Sequence, residues 1–138
     1  MRLLLNAYRS DAKAKAYIDN ALNINLSLPF CGYVIANKLN DTVGAFVYNG
    51  FTGDNVELTI ACEERVTISI ARFIALIAFF DLGCNRMTAR TRISNQRAIK
   101  AMLNVGFKFE GVAREYFGGE DAIMFGMLAK EQKLVKRK

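Results

Sequence analysis

Apolar and polar residues alternate from Asn55 to Cys62, which is the pattern of a β-strand with one buried face. The apolar face consists of Val56, Leu58, Ile60 and Cys62, and the opposite face consists of Glu57, Thr59 and Ala61. Charged residues at 63–65 end the alternation. We therefore predict a strand whose second face presents one carboxylate, Glu57, in an otherwise uncharged row.

Shorter stretches of the same kind, bounded by turn-forming residues, predict the rest of a sheet. The dipeptide Asn40-Asp41 is a turn signal that joins two of these stretches as a hairpin. In another stretch, Met87, Ala89 and Thr91 alternate with basic residues. Besides Asn55 to Cys62, the predicted strands are Leu3 to Leu5, Gly32 to Leu39, Val43 to Tyr48, Arg86 to Arg92, Phe107 to Tyr116 and Ala122 to Leu128.

Three helices are predicted between the strands. The first begins at Ser10 or Asp11, either of which can act as the N-cap, and runs to about Leu22. A loop closed by Pro29 leads from it into the hairpin. The modest apolar face of this helix consists of Ala12, Ala16, Ile18 and Leu22.

The second helix is the most apolar part of the chain. Thr67 or Ser69 can cap its start, it runs to about Asp81, and Gly83 closes it. The apolar run is shorter than the ~18 residues that a membrane span needs, and it contains Arg72 as well as Asp81. We therefore predict a buried helix in a soluble protein.

The third helix lies between residues 92 and 111. Ser94 is predicted to cap it, and Gly106 ends it, where the backbone needs a left-handed conformation. Beyond the glycine, Phe107 and Phe109 alternate with charged residues, which predicts a strand with one buried face. The buried helix face consists of Ala98, Met102 and Val105, with Ile99 and Leu103 beside them.

Composition narrows the class of protein. A chain of 138 residues with 52% hydrophobic residues and a single proline fits one compact domain, which we place at 1–130, followed by a basic tail at 131–138. The net charge of +6 suits an anionic ligand or an acidic partner surface, whereas nucleic-acid binding would rest on charge alone. Because the chain has no histidine, imidazole metal sites and histidine bases are excluded, and we expect no metal site.

The three cysteines, Cys31, Cys62 and Cys84, are odd in number and widely spaced, without a paired motif. This pattern predicts reduced thiols in a cytosolic protein. The N-terminal apolar run is too short for a signal peptide and lacks a cleavage site. We therefore expect a cytoplasmic protein that does not bind membranes.

Four residues, Asn95, Ala98, Gly106 and Phe107, have the spacing of the Asn-x-x-Ala…Gly-Phe segment found in the GNAT superfamily of N-acetyltransferases. The chain resembles that superfamily from about residue 30 to residue 130. The part after Phe107 resembles the ribosomal-protein (Rim-type) branch, above all its short members carried by bacteria and bacteriophages. The residues that carry this second resemblance are Glu110-Gly111, Arg114, Gly118-Gly119, Asp121 and Phe125-Gly126-Met127-Leu128.

The resemblance implies a fold and a location. The fold is α+β, with a mixed, mostly antiparallel twisted sheet of six to seven strands and three to four flanking helices. The sheet is expected to splay between the strand ending at Cys62 and the strand Arg86 to Arg92, where the cofactor lies. If the chain is encoded by a phage, its location is the host cytoplasm.

The resemblance also implies acetyl-CoA as co-substrate, held at the turn from Glu64 to Arg72. A helix start offers amides without backbone partners and the positive end of the helix dipole, so it can hold a phosphate. The family motif there is Arg/Gln-x-x-Gly-x-Gly/Ala, whereas here Ile68 and Ile70 replace both glycines. We expect neighbouring hydroxyls and arginines to compensate. The expected cofactor-binding residues are Arg65, Thr67, Ser69 and Arg72 at the turn, Ala61 and Cys62 for the thioester carbonyl, and Asn95 for the pantetheine arm or the helix start.

Two residues are candidates for proton transfer. Acyl transfer needs a neutral amine, so a carboxylate near the acceptor assists it. The resemblance places Glu57 where several family members carry this base, although a solvent-facing strand residue is the alternative, and Glu63 and Glu64 are weaker candidates. Many relatives have a tyrosine acid at the position of Met102, and Tyr116 is the candidate substitute here.

These observations predict an N-acetyltransferase that moves an acetyl group from acetyl-CoA to a primary amine by direct attack. The acceptor stays open between a protein N-terminus, a lysine and a small amine, and a homodimer is left open. The alternative is a GNAT-fold protein with weak or lost catalysis that binds a host or partner protein. We also expect Arg92, Asn95 and Arg97 to gather near the cofactor or acceptor end of the cleft.

Overall fold

The computed structural model describes residues 5–26 and 31–136. Its strands are β1 Asn6–Arg9, β2 Cys31–Ala36, β3 Thr42–Asn49, β4 Asn55–Cys62, β5 Arg86–Arg92, β6 Lys108–Ala113 and β7 Ala122–Leu128. Its helices are α1 Asp11–Leu22, α2 Ile68–Leu76 with a π-helical continuation over Ile77–Asp81, and α3 Gln96–Asn104. The strands form one open sheet in the order β1-β2-β3-β4-β5-β7-β6, in which β4 and β5 are parallel and the other described pairs are antiparallel. The predicted α+β class with a mostly antiparallel sheet is confirmed.

α1 packs on one face of the sheet through a narrow stripe. Ser10 caps it and it ends at Leu22, as predicted. Its buried residues are Ala14 and Ile18, and a side chain at Gly32 would come within 2.8 Å of the Ala14 Cβ. Because α1 approaches the sheet closely at Ala14, the other sides of this helix face solvent. The predicted apolar face was therefore wrong at two exposed residues, Ala12 and Ala16.

The first strand is displaced from its prediction. β1 begins at Asn6, and Leu5 is buried just before it. Pairing with β2, rather than apolar content, sets the bounds of this strand. Leu3 and Leu4 lie outside the described residues.

α2 covers the opposite face of the sheet. Thr67 caps it, since its Oγ1 accepts from the Ile70 amide at 3.3 Å, and Gly83 ends the helical segment with φ +69°. The buried Tyr48 hydroxyl donates to the Ile74 carbonyl at 2.7 Å, near the change from α to π geometry. Side-chain hydrogen bonds to helix carbonyls are a known cause of such irregularities. None of the helices in 5–26 and 31–136 has the length and apolarity of a bilayer span.

α3 differs from its prediction at the cap. Asn95 caps it, with Oδ1 accepting from the Ala98 amide at 3.1 Å, whereas Ser94 donates its own amide to the Glu120 carboxylate at 2.8 Å. Met102 is buried as expected, but Leu103 is 50% exposed, so that part of the predicted face was wrong.

β6 is shorter than predicted and irregular. An extra residue between Phe109 and Gly111 forms a β-bulge opposite β7, and Phe109 is 60% exposed instead of buried. The strand ends at Ala113, so Tyr116 lies in the turn that follows and not in the strand.

β4 and β5 pair along only part of their length. Asn55–Leu58 pairs with Arg86–Ala89, and beyond these residues β4 pairs with β3 alone and β5 with β7 alone. The sheet is therefore open between residues 59–62 and residues 90–92, while each strand keeps a partner on its other side. This opening is the predicted splay.

Candidate active site

A cavity of about 890 Å³ occupies the opening between β4 and β5. It falls within the usual range of small-molecule sites, roughly 300–1,000 Å³. β4 contributes Leu58, Ile60, Ala61 and Cys62 to its walls, α1 contributes Tyr17, Asn20, Ala21 and Leu22, and α2 and α3 contribute Ile68, Ala71, Ala98 and Met102 among others. Because α1 and α2 lie on opposite faces, the cavity crosses the sheet. We call it the passage, with an α1 side and an α2–α3 side.

The start of α2 lies on the α2–α3 side. The first amides of a helix have no partner within the helix, and Thr67 satisfies that of Ile70. Arg65 lines the passage, whereas Thr67, Ser69 and Arg72 do not. Thr67 is the N-cap of α2, Ser69 lies in its first turn, and Arg72 is an exposed residue in the middle of the helix. Three of the four predicted residues therefore lie at the start of α2, and one of them lines the passage.

The two isoleucines that replace the family glycines have different environments. Ile70 is 3% exposed and belongs to the hydrophobic core, so its side chain points away from the passage. Ile68 is 50% exposed and lines the passage. Only one of the two substitutions therefore places a side chain where an incoming phosphate would approach the helix start.

α3 supplies two cations that line the same side. Arg97 and Lys100 face the passage together with Ala98 and Ala101. Sequence reasoning named Arg97 only as a neighbour of the cleft and missed Lys100. The available signal was the spacing of three residues, which places both side chains on one helix face.

The remaining predicted cofactor residues also lie at the passage. Asn95 lines it and uses its Oδ1 to cap α3, which is one of the two roles expected of it. Ala61 and Cys62 form the open edge of β4. Burial raises the pKa of the Cys62 thiol, which therefore stays protonated near neutral pH.

The α1 side is built around a phenol and a carboxylate. Tyr17 donates its hydroxyl to the Val43 carbonyl at 3.0 Å, and the Glu63 amide donates to the same carbonyl at 2.7 Å. Burial, followed by the neighbouring Glu63 carboxylate, raises the pKa of Tyr17. Both Tyr17 and Glu63 line the passage.

Glu57 lies on the same face of the sheet as α1 but outside the lining of the passage. Its carboxylate forms an ion pair with Arg90. The Arg90 guanidinium also lies over the Tyr116 ring, 5.0 Å from its centre. The structure therefore joins the two predicted catalytic residues through an arginine that sequence reasoning did not single out. A side chain at Gly50, where φ is +58°, would come within 2.6 Å of Glu57 Oε2, so the missing Cβ makes room for this carboxylate.

Arg92 lies on this face too and connects three segments. Its guanidinium donates to the Leu22 carbonyl at 2.9 Å, pairs with Glu120 at 3.3 Å and lies 4.6 Å from the centre of the Phe117 ring. Leu22 lines the passage, so Arg92 fixes the end of α1 against the turn between β6 and β7. Of the three residues expected to gather at the cleft, Asn95 and Arg97 line the passage and Arg92 supports its α1 side.

The fold is similar to that of solved acetyltransferase structures. The spermidine N-acetyltransferase SpeG from Vibrio cholerae, in complex with CoA and spermine, has a TM-score of 0.73 at 12% identity over 92% of this chain and 96% of that chain. The chain has the GNAT fold. A mutant form of the same enzyme gives 0.72 at 16% identity and the same coverage.

A protein described as a probable acetyltransferase gives a TM-score of 0.66 at 17% identity, over 72% of this chain and 61% of that chain. At identities of 12–17%, the structural similarity shows that these proteins share the GNAT fold with this chain. No protein-family profile and no curated protein matches the sequence.

Proposed function

We propose that the protein is an N-acetyltransferase that uses acetyl-CoA as co-substrate and acetylates a primary amine by direct attack. The observation that carries this proposal is the passage through the open sheet. It has a helix start and cations on one side and a phenol with a carboxylate on the other. Such a geometry lets an acyl donor and an amine meet from opposite faces without a covalent enzyme intermediate.

The α2–α3 side fits the donor. CoA supplies an activated acetyl thioester and carries several phosphates. The start of α2 with Arg65 would hold the pyrophosphate, and Thr67 and Ser69 add hydroxyl donors in place of the family glycines. Arg97 and Lys100 would hold further phosphate oxygens, because neither has a carboxylate partner in the described residues.

The open edge of β4 fits the thioester. Backbone groups of residues 60–62 that face the opening have no strand partner on that side. Successive amides of a strand point to opposite edges, and the Glu63 amide points to β3, where it donates to the Val43 carbonyl. The Cys62 amide would therefore donate to the thioester carbonyl and stabilise the negative charge that develops on its oxygen, whereas the predicted Ala61 amide faces β3. The pantetheine arm would lie between this edge and α3, whose start Asn95 orders.

Glu57 is the proposed base that would take the proton of the acceptor amine, and Tyr116 is the proposed acid that would protonate the departing CoA thiolate. Both groups contact Arg90, so a proton taken by Glu57 replaces one of the bonds to this arginine. Neutralising the acceptor amine before attack is the step that needs this base.

The acceptor class in this proposal is a primary amine, and a neighbour with CoA and spermine supports a small amine over a protein lysine. We also propose membership of the Rim-type branch from the residues at 110–128 and a location in the cytoplasm. A second candidate function is binding of a partner protein without efficient turnover. The Ile68 side chain at the helix start favours it, because it occupies space where phosphate would lie.

Thermal unfolding with and without acetyl-CoA, followed by an assay of CoA release with amines, tests the proposal. A ligand held only by the folded protein at 100 times its dissociation constant adds about 2.7 kcal/mol to the free energy of unfolding. We expect a rise in melting temperature at millimolar acetyl-CoA, and amine-dependent CoA release. A rise without release with any amine would support the partner-binding function, and no rise at all would contradict donor binding.

A further inference from the structure

On the α2–α3 side, the passage has a polar end at the helix starts. α2 connects the parallel strands β4 and β5, and α3 connects β5 and β6, which run in the same direction because both are antiparallel to β7. Both helices therefore begin at the same end of the sheet and run back along it. Arg65 precedes α2, and Arg97 and Lys100 lie in the first half of α3. A donor that binds these cations through its phosphates would direct its thioester toward the later turns of the helices.

The later turns of α2 and α3 border an apolar end of the passage. Leu58 is the last residue of β4 that pairs with β5, so this end lies where the opening of the sheet begins. Three of the side chains here are methionines, whose flexible, unbranched side chains adapt to ligands of different shape. A hydrocarbon group placed at this end would exchange water for apolar contacts. The side chains that line it are buried and belong to one hydrophobic core, namely Leu58, Ile74, Met87, Met102, Phe107 and Met127.

The segment after β7 closes the apolar end. β7 ends at Leu128, which pairs with Arg86 at the start of β5, and this is the end of the sheet to which both helices return. The Gln132 amide donates to the Leu128 carbonyl at 3.0 Å, and the Gln132 side chain accepts from the Leu134 amide at 2.8 Å. These bonds hold Leu134 at the wall of the passage, where it packs against the core. Leu134 therefore limits how far a ligand can extend in this direction.

We propose that the apolar end receives the acyl chain of the donor, so that the protein transfers acyl groups longer than acetyl, such as butyryl to octanoyl, and that Leu134 limits their length. The inference rests on the proposed transfer from CoA and adds longer acyl-CoA thioesters to acetyl-CoA as donors. The bonds that change are the same for every donor. The amine nitrogen bonds to the thioester carbonyl carbon, the carbon–sulfur bond breaks, and the proton lost by the nitrogen leaves with the sulfur as CoA thiol.

Calorimetric titrations without an amine test the binding of the chain. The probes are acetyl-CoA, butyryl-CoA and octanoyl-CoA, and CoA itself is the reference. Each methylene that leaves water for an apolar site tightens binding by up to about 4-fold, so we expect the Kd of butyryl-CoA to be about 10-fold below that of acetyl-CoA. Octanoyl-CoA should bind more tightly still. Equal Kd values for the three thioesters would overturn the inference and leave the proposed acetyl transfer intact, whereas no binding of any probe would contradict the proposed function on which the inference rests.

Two truncations in the segment after β7 test the role of Leu134. Dodecanoyl-CoA should bind the native protein no more tightly than octanoyl-CoA, because Leu134 stops the chain. Leu134→Ala opens space beyond it and should tighten the binding of dodecanoyl-CoA relative to octanoyl-CoA by about 10-fold. Val135→Ala is the matched control and should leave this ratio unchanged, since Val135 is a neighbouring half-buried apolar residue that does not line the passage. The same change in both variants, or in neither, would refute Leu134 as the limit.

A larger side chain at the same position gives the opposite expectation. Leu134→Phe fills part of the apolar end and should weaken the binding of octanoyl-CoA relative to acetyl-CoA by about 10-fold. This variant decides the question if Leu134→Ala fails to fold. An unchanged ratio in Leu134→Phe would place the acyl chain elsewhere.

Mass spectrometry of the amide product shows whether a bound chain is also transferred. With one amine at a fixed concentration, kcat/KM for butyryl-CoA should exceed that for acetyl-CoA by about the factor measured in binding. Tight binding of butyryl-CoA with transfer of acetyl alone would contradict the proposal, because the chain would then hold the thioester away from the amine. Absence of transfer from every donor would count against the proposed function, since the binding series tests the apolar end independently.

Discussion

The cations on the two faces of the open sheet are used in different ways. On the α2–α3 side, Arg65, Arg97 and Lys100 line the passage, and none of them forms an ion pair within the described residues. On the other face, the three arginines of β5 each bind a carboxylate from another element. These pairs are Arg86 with Glu110, Arg90 with Glu57, and Arg92 with Glu120.

The difference separates cations that are free to contact a ligand from cations that hold two elements of the fold together. An unpaired cation at the wall of a cavity gains most from an incoming anion, whereas a paired arginine has already exchanged its hydration for protein contacts. Net charge alone would have counted both groups alike. The +6 of the chain therefore matters for ligand binding mainly where it is left unneutralised.

The largest expected effect comes from Glu57→Gln. If Glu57 is the base, kcat should fall by about 100-fold while acetyl-CoA affinity is kept, because the amide preserves shape but cannot take a proton. The loss should be greatest at low pH and shrink as the pH approaches the pKa of the amine, where the neutral acceptor needs no base. Glu110→Gln is the matched control, since it breaks an equivalent ion pair with Arg86 away from the passage. Unchanged kcat and pH profile in Glu57→Gln would exclude Glu57 as the base.

The next effect concerns the unpaired cations. The double variant Arg97→Gln, Lys100→Gln should weaken acetyl-CoA binding by about 10-fold or more, since each residue loses a charged contact with phosphate. Calorimetric titration would measure it, and raising the salt concentration should weaken the wild type more than the variant. Lys130→Gln with Lys133→Gln removes the same charge from exposed positions outside the passage and is the control. A comparable loss in this control would mean that net charge, not position, attracts CoA.

A smaller effect is expected for the paired arginines. Arg92→Gln should lower the free energy of unfolding by about 1–2 kcal/mol, because Leu22, Phe117 and Glu120 all lose a partner. Hydrogen exchange should accelerate in the last turn of α1 and in the turn after β6. Arg86→Gln breaks one half-exposed ion pair and should cost about 0.5 kcal/mol without changing α1. Equal costs for the two variants would show that Arg92 does not fix the end of α1.

The smallest effect is a pH dependence. The hydrogen bond from Arg86 holds the pKa of Glu110 below its usual value of 4.5. A carboxylate with a lowered pKa contributes stability above its unfolded pKa, and this contribution is lost as the pH falls through the folded pKa. The stability difference between wild type and Arg86→Gln should therefore shrink from pH 7 to pH 3, by about 0.5 kcal/mol at most. Denaturant unfolding at both values checks it, and a difference that is constant with pH would contradict the linkage.

The fold was largely predictable because its signals are local. Alternation located β4 to the residue, and Thr67 and Gly83 marked the ends of the helical segment. The errors arose where tertiary contacts, rather than the local sequence, decide which side chains are buried. Ala14 rather than Ala12 faces the sheet because of the approach to Gly32, and Phe109 is exposed because β6 is the edge strand, although it pairs in register with the buried Phe125.

The site was predictable only in part. The place of the predicted cofactor turn follows from the order strand, turn, helix, and Arg65 does line the passage. The pairing of Glu57 with Arg90 joins residues 33 positions apart and has no signature in the sequence. The same holds for the position of Glu63, which depends on hydrogen bonds that its own amide and Tyr17 of α1 donate to the Val43 carbonyl of β3.

The bulge in β6 has a consequence for how the folded chain behaves at high concentration. β6 is an edge of the sheet and carries two exposed apolar residues, Phe109 and Val112, which would favour pairing with the edge of another molecule. An extra residue at Glu110 breaks the regular spacing of backbone donors and acceptors that such a pairing requires, and it adds a charge at that point. Removing this residue would restore a continuous ladder and make the edge a template for fibrillar growth.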